Sequence, residues 1–165
     1  MLQLLSPRLV FFGLTAIAIA SIAVAMLFME GHLGLAPCPL CMTQRAFIVL
    51  VGIVGLIAGL HNPLAWGRRV YGVLCALAAI AGGAVAARHV WLQYLPADQV
   101  PACGPSLEYM LETLPFSETF SIVLMGDGNC ADTMWTFFGF SIPEQTLALF
   151  AVITIISLWQ TLRSH

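Results

Sequence analysis

Lysine is absent from this chain, and six arginines and eight acidic residues are its only charged side chains. Charged residues make up 8% of the sequence, against about 25% in a soluble globular domain. A soluble fold of this size is excluded by that deficit. No basic run is present, so no nucleic-acid partner is expected. There is no internal repeat and no low-complexity tract. No haem motif, no glycine-rich dinucleotide-binding motif and no metal cluster is visible.

What fills the chain is apolar: 60% of its 165 residues are hydrophobic. A membrane-spanning helix needs about 20 mainly apolar residues, with a range of about 17–25. Leu9–Met29, Val70–Ala87 and Thr146–Leu162 meet that requirement. Ala46–Leu60 is short alone and reaches span length if its helix begins near Thr43, with Arg45 at the membrane surface. The sequence therefore predicts an all-α fold: one integral membrane domain, a four-helix bundle with spans at about 9–29, 43–60, 70–87 and 146–162. Glycines 52, 55 and 59 in the second span, and Gly72, Ala76, Ala79 and Gly83 in the third, let helices approach closely. A cleaved signal peptide is the rival for the first run, since Arg8 precedes it and Ala23-Val24-Ala25 resembles a cleavage site. The apolar run continues past that site through Leu27, Phe28 and Met29, which favours a retained helix.

Arginine placement sets orientation, and acidic residues count for little. Arg8, the Arg68-Arg69 pair and Arg163 flank the spans on one side, which should be cytoplasmic, with both termini. Arg45, Arg88 and all eight acidic residues fall on the other. That outer side carries a short loop at about 30–42 and a long one at about 88–145. Within the long loop, Phe116–Leu124 mixes apolar and polar residues in a way that suits either an interfacial helix or a packed loop.

Five cysteines are present, four of them on the outer, oxidising side, where disulfides persist. Cys38 and Cys41 form a C-x-x-C in the short loop, and Cys103 and Cys130 lie in the long one. Cys75, alone in the third span, reads as a small buried hydrophobe. Two readings of the outer four stand open. One is a four-cysteine zinc site, although Cys103 and Cys130 are too far apart to form a usual half-site. The other is a pair of disulfides, either inert staples or redox-active. The C-x-x-C ends where the second helix should begin, at the positive end of its dipole. Arg45 follows Cys41 by four residues, on the same helical face. A helix N-terminus and a cation are the surroundings that favour a reactive thiolate. The bland account of Arg45 is an arginine snorkelling at a helix end.

The pattern resembles the DsbB family, the bacterial inner-membrane quinone-linked thiol oxidases. The resemblance covers nearly the whole chain. It rests on Cys38-Pro39-Leu40-Cys41 followed by Arg45, on Arg88-His89-Val90-Trp91-Leu92-Gln93-Tyr94-Leu95-Pro96 and then Cys103, and on Gly128-Asn129-Cys130-Ala131-Asp132 with Trp135, Gly139 and Pro143 beyond. Vitamin K epoxide reductases use similar parts in an order and spacing less like these. The resemblance implies a periplasmic DsbA-like thioredoxin-fold partner and a membrane quinone, ubiquinone or menaquinone, as electron acceptor. It implies that Cys103 forms the mixed disulfide with the partner, that Cys130 then attacks Cys38, and that Cys41 leaves as a thiolate. It further implies that Arg45 and His89 bind the quinone.

Overall fold

The computed structural model describes residues 6–96, 98–100, 107–126, 128–131 and 135–163. Four of its helices are long and apolar enough to cross a membrane. The chain is a multi-pass membrane protein built as a helix bundle. In lipid every backbone polar group must be satisfied within the protein, and a helix satisfies its own.

Helix α1 (Pro7–Ala23) starts at Ser6, whose hydroxyl accepts from Leu9 N–H, with Pro7 in the first turn. It runs directly into a π-helical stretch, Val24–Glu30. Helix α2 spans Pro39–His61 and ends at Asn62 in a left-handed conformation, φ 45°. Asparagine is among the few side chains that tolerate that region. Helix α3 spans Ala65–Gln93. The segment after α3 forms α4 (Leu107–Thr113), α5 (Phe116–Met125) and α6 (Gly128–Ala131). A two-stranded hairpin, β1 (Thr136–Phe137) with β2 (Phe140–Ser141), pairs Thr136 with Ser141 and leads into α7 (Ile142–Leu162). Ser141 and Glu144 make a reciprocal capping box there. Tyr94 Oη donates to Glu144 Oε1 at 2.8 Å, tying the end of α3 to the start of α7.

The bundle packs as a chain of neighbours: α1 on α2, α2 on α3, and α3 on α7, with little contact between α1 and α7. Small residues explain the close pairs. A Cβ on Gly52 would stand 2.8 Å from Ala18 Cβ, and one on Gly59 would stand 2.9 Å from the Phe12 ring. Gly72 lies equally close to Thr161 of α7. The sequence pattern marked Gly83 in α3, but Gly82 is the buried one, pressed against Phe150 and Phe47. The stripe drifts by one residue because α3 must face α2 and α7 together.

All four spans begin earlier than hydropathy placed them, and α3 also ends later. Helix α2 starts at Pro39 rather than near Thr43, so the C-x-x-C lies in its first turn and not before it. Helix α3 continues to Gln93, so Arg88 and His89 belong to its last turns and not to the loop. Hydropathy registers the apolar centre of a helix and misses polar ends that protein neighbours cover. The Phe116–Leu124 stretch is helical, as α5.

The arginines on the inner side of the sequence pattern gather at one end of the bundle. Arg8 Nε donates to Gly59 O at 3.0 Å, and Arg68 Nη2 donates to Arg163 O at 2.7 Å. Reporter fusions at the C-terminus and within the segment between Pro96 and Pro115 are expected to report opposite sides of the membrane. Matching reports from the two positions would break the four-span topology.

Candidate functional site

The end of the bundle opposite Arg8, Arg68 and Arg163 is organised around the first turn of α2. Cys38 is its N-cap: the sulfur accepts from Cys41 N–H at 3.3 Å, and Pro39 occupies the first helical position. That geometry turns the Cys41 side chain back beside Cys38, with the two sulfurs 2.9 Å apart. Both are thiols here, as is Cys75, which is fully buried in α3.

A second segment brings Cys130 to the same place. Helix α6 rests on α3, and Cys130 is fully buried in a cluster with Cys38, Leu40, Val85 and Leu92. Gly126 makes this docking possible. Its φ is 77°, which L side chains rarely adopt, and a Cβ there would collide with Leu92 and approach Leu40 to 3.2 Å. Hydrogen bonding with Cys130, then with Cys41, together with burial, pushes the Cys38 thiol above its ordinary range. Cys103 lies outside the described residues.

His89 is buried, at 3% exposure, in the last turns of α3. Its Nε2 is 3.8 Å from Cys38 Sγ, and its Nδ1 is 3.1 Å from the Gln44 side-chain amide of α2. A ring nitrogen of His89 and the sulfurs of Cys38 and Cys130 all lie within 4.8 Å of one another. Gln44 is itself 4% exposed.

Arg45 is half-buried and forms an ion pair with Glu30, the last residue of the π-helical stretch. The guanidinium also lies 3.9 Å from Met42 Sδ. Cys38, Cys41, Gln44, Arg45 and His89 all border one cavity of about 140 Å³. Its remaining walls are mainly apolar and include Ile22, Val24, Ala25 and Met29 from the end of α1, Ile48 from α2, Trp135, and Pro143 and Leu149 from α7. The π-helical geometry adds a residue to the turn at the cavity's edge, a feature frequent at functional sites.

The family model described as "Disulfide bond formation protein DsbB" matches residues 7–160. The chain belongs to the DsbB family. Among relatives named disulfide bond formation protein B, that of Saccharophagus degradans is 54% identical over 139 residues, 84% of each chain. That of Stutzerimonas stutzeri is 49% identical over 162 residues, covering 98% of this chain and 99% of the other. Disulfide bond formation protein B 1 of Pseudomonas aeruginosa is 46% identical over the same length and the same shares. DsbB membership gives this membrane protein a part in disulfide bond formation.

Of the residues singled out in the sequence, Cys38, Cys41, Cys130, Arg45 and His89 converge at this one end of the bundle. Two participants carried no signal of their own. Gln44 reads as one polar residue at a helix start, and Glu30 as one loop acid. Gln44 shares the early turns of α2 with Cys41, so a polar side chain facing inward from a mainly apolar helix was the available clue.

Proposed function

We propose that this chain reoxidises a periplasmic DsbA-like protein in the bacterial inner membrane. Electrons enter through Cys103 and Cys130, pass to Cys38 and Cys41, and leave to a membrane quinone, ubiquinone or menaquinone. The observation that carries this reading is the run of sulfurs: Cys130 beside Cys38, Cys38 2.9 Å from Cys41, and Cys41 on the wall of a cavity.

The residues at that cavity suit a quinone. Its walls are mainly apolar, as a ring and isoprenoid tail require. Its polar residues include Arg45, able to donate a hydrogen bond to a ring carbonyl oxygen, and His89, able to do so when its Nε2 carries a proton. A quinone bound there would supply the two-electron acceptor that returns Cys38 and Cys41 to the disulfide.

The chain's own steps are thiol–disulfide exchanges. A thiolate of the partner attacks the Cys103–Cys130 disulfide at Cys103, forming a mixed disulfide and releasing Cys130. The partner's second thiol then resolves the mixed disulfide. Cys130 attacks Cys38 of the Cys38–Cys41 disulfide, and Cys41 departs with the bonding electron pair. Cys41 sits in the first turn of α2, where the helix dipole favours negative charge.

The test is oxidation of a reduced DsbA-like protein by the purified chain. Catalytic turnover is expected with added quinone, and no more than stoichiometric oxidation without it. No oxidation under either condition would leave the cysteines as inert staples. A zinc site, the remaining alternative, predicts stoichiometric metal in the purified protein, which elemental analysis measures.

A further inference from the structure

We propose that His89 is the general base for the exchange between Cys130 and the Cys38–Cys41 disulfide, and that Gln44 is the residue that positions it. The proposal rests on the relay above and adds the proton to it. The attacking species in such an exchange is a thiolate. Cys130 is fully buried, so solvent has poor access to its proton. A ring nitrogen of His89 lies within 4.8 Å of both the attacking sulfur of Cys130 and the attacked sulfur of Cys38, and Nε2 is 3.8 Å from the latter. Catalytic contacts of this kind commonly tighten when the reacting complex forms.

The balance is simple. The Cys130 S–H proton moves to His89 Nε2. A bond forms between Cys130 Sγ and Cys38 Sγ. The Cys38–Cys41 bond breaks, and Cys41 keeps its electron pair as a thiolate. No external oxidant is needed, because one disulfide replaces another. The imidazolium left on His89 borders the same cavity as that thiolate.

Gln44 makes Nε2 available. Its amide nitrogen is 3.1 Å from Nδ1, and a half-turn of the terminal amide puts the carbonyl oxygen there instead. With the carbonyl inward, Nδ1–H donates to Gln44 and the Nε2 lone pair faces the sulfurs. The same carbonyl holds the imidazolium once the proton arrives. The ionisable groups around His89 are Cys38, Cys41 and Arg45 from α2, and Cys130 from α6. The residues that α1 and α7 bring to the cavity are not ionisable. Glu30 neutralises Arg45, so a second positive charge on His89 does not face an uncompensated guanidinium.

The experiment uses the full-length chain carrying Cys103→Ala, which keeps Cys130 reduced. It is oxidised at Cys38–Cys41 with a soluble benzoquinone at pH 5 and desalted. The sample is then stepped to a series of pH values and quenched in acid, and the Cys38–Cys130 disulfide is counted by peptide mapping. His89→Ala is expected to slow its formation at pH 7 by about 10²–10⁴-fold. The deficit should close at alkaline pH, where the buried Cys130 thiol ionises without a base. His89→Gln, close in size and unable to accept the proton, should behave as His89→Ala does and guards against a folding defect. Gln44→Met should move the midpoint of the pH–rate profile downward, because the imidazolium loses its acceptor. A slot merely filled by Gln44 would leave that midpoint in place. Wild-type exchange in both His89 variants, or an equal loss at every pH, overturns the base assignment while leaving the relay intact. Failure of the Cys38–Cys130 disulfide to form with His89 and Gln44 unaltered defeats the relay and the base assignment together.

Discussion

Cys41→Ala is expected to reduce quinone-dependent turnover to background while the variant still forms a mixed disulfide with a DsbA-like partner through Cys103. Cys103→Ala should also lose partner oxidation, but for a different reason: the partner cannot enter, yet Cys38–Cys41 can still be reoxidised by quinone. The contrast follows from geometry. Cys41 borders the cavity and Cys38 stands between it and Cys130. Removing Cys41 leaves no leaving thiolate at the acceptor end. Gel-shift trapping of the mixed disulfide, beside turnover measured by quinone absorbance, separates the two variants. Partner oxidation at the wild-type rate in Cys103→Ala would rule out a relay through two cysteine pairs.

Arg45→Met should weaken apparent quinone affinity by about 10- to 150-fold. That range corresponds to losing one hydrogen bond to a charged group, worth roughly 1.5–3 kcal/mol. Turnover should slow as well, because a guanidinium beside the ring stabilises negative charge that develops on reduction. Arg45→Lys should be milder, since it keeps the charge but loses the planar fork. The Glu30 pairing sharpens the expectation. The pair is partly exposed, and pairs of that kind add little to stability. Loss of Arg45 should therefore cost function much more than folding. Steady-state kinetics against quinone concentration, normalised to folded protein, is the measurement. A snorkelling anchor would instead lower insertion or expression and leave kinetics per folded molecule unchanged. Unaltered affinity and turnover in Arg45→Met would remove Arg45 from the site.

The four-helix architecture was legible in the sequence because lipid imposes a severe rule. Any segment crossing it must be long, apolar and internally hydrogen-bonded, and no rival reading accommodates four such runs. The nearness of Cys38 and Cys41 to a helix start was legible from the apolar run that follows, but Pro39 at the first helical position sets that start four residues earlier than the run suggested. Gathering of Arg8, Arg68 and Arg163 at one end follows from four alternating spans. Span limits were less legible. The outer turns of α2 and α3 carry Gln44, Arg88 and His89, whose polarity hides the helix from hydropathy.

Only the tertiary structure decided which side chains meet. His89 reaches Cys38 across 51 residues and Gln44 across 45, and both contacts depend on how α2 and α3 are rotated against each other. Small residues on those helices allow close approach but do not select the facing side chains. The partnership of Glu30 with Arg45 depends on a π-helical ending to the first span, which carries no strong sequence signature. The position of Cys130 depends on a long loop returning to the bundle and docking through Gly126, Leu40 and Leu92. Spacing alone could assign Cys130 to a loop. Packing of that loop against α2 and α3 brought its sulfur to Cys38, because burying an apolar cluster at the helix ends fixes where the chain must lie.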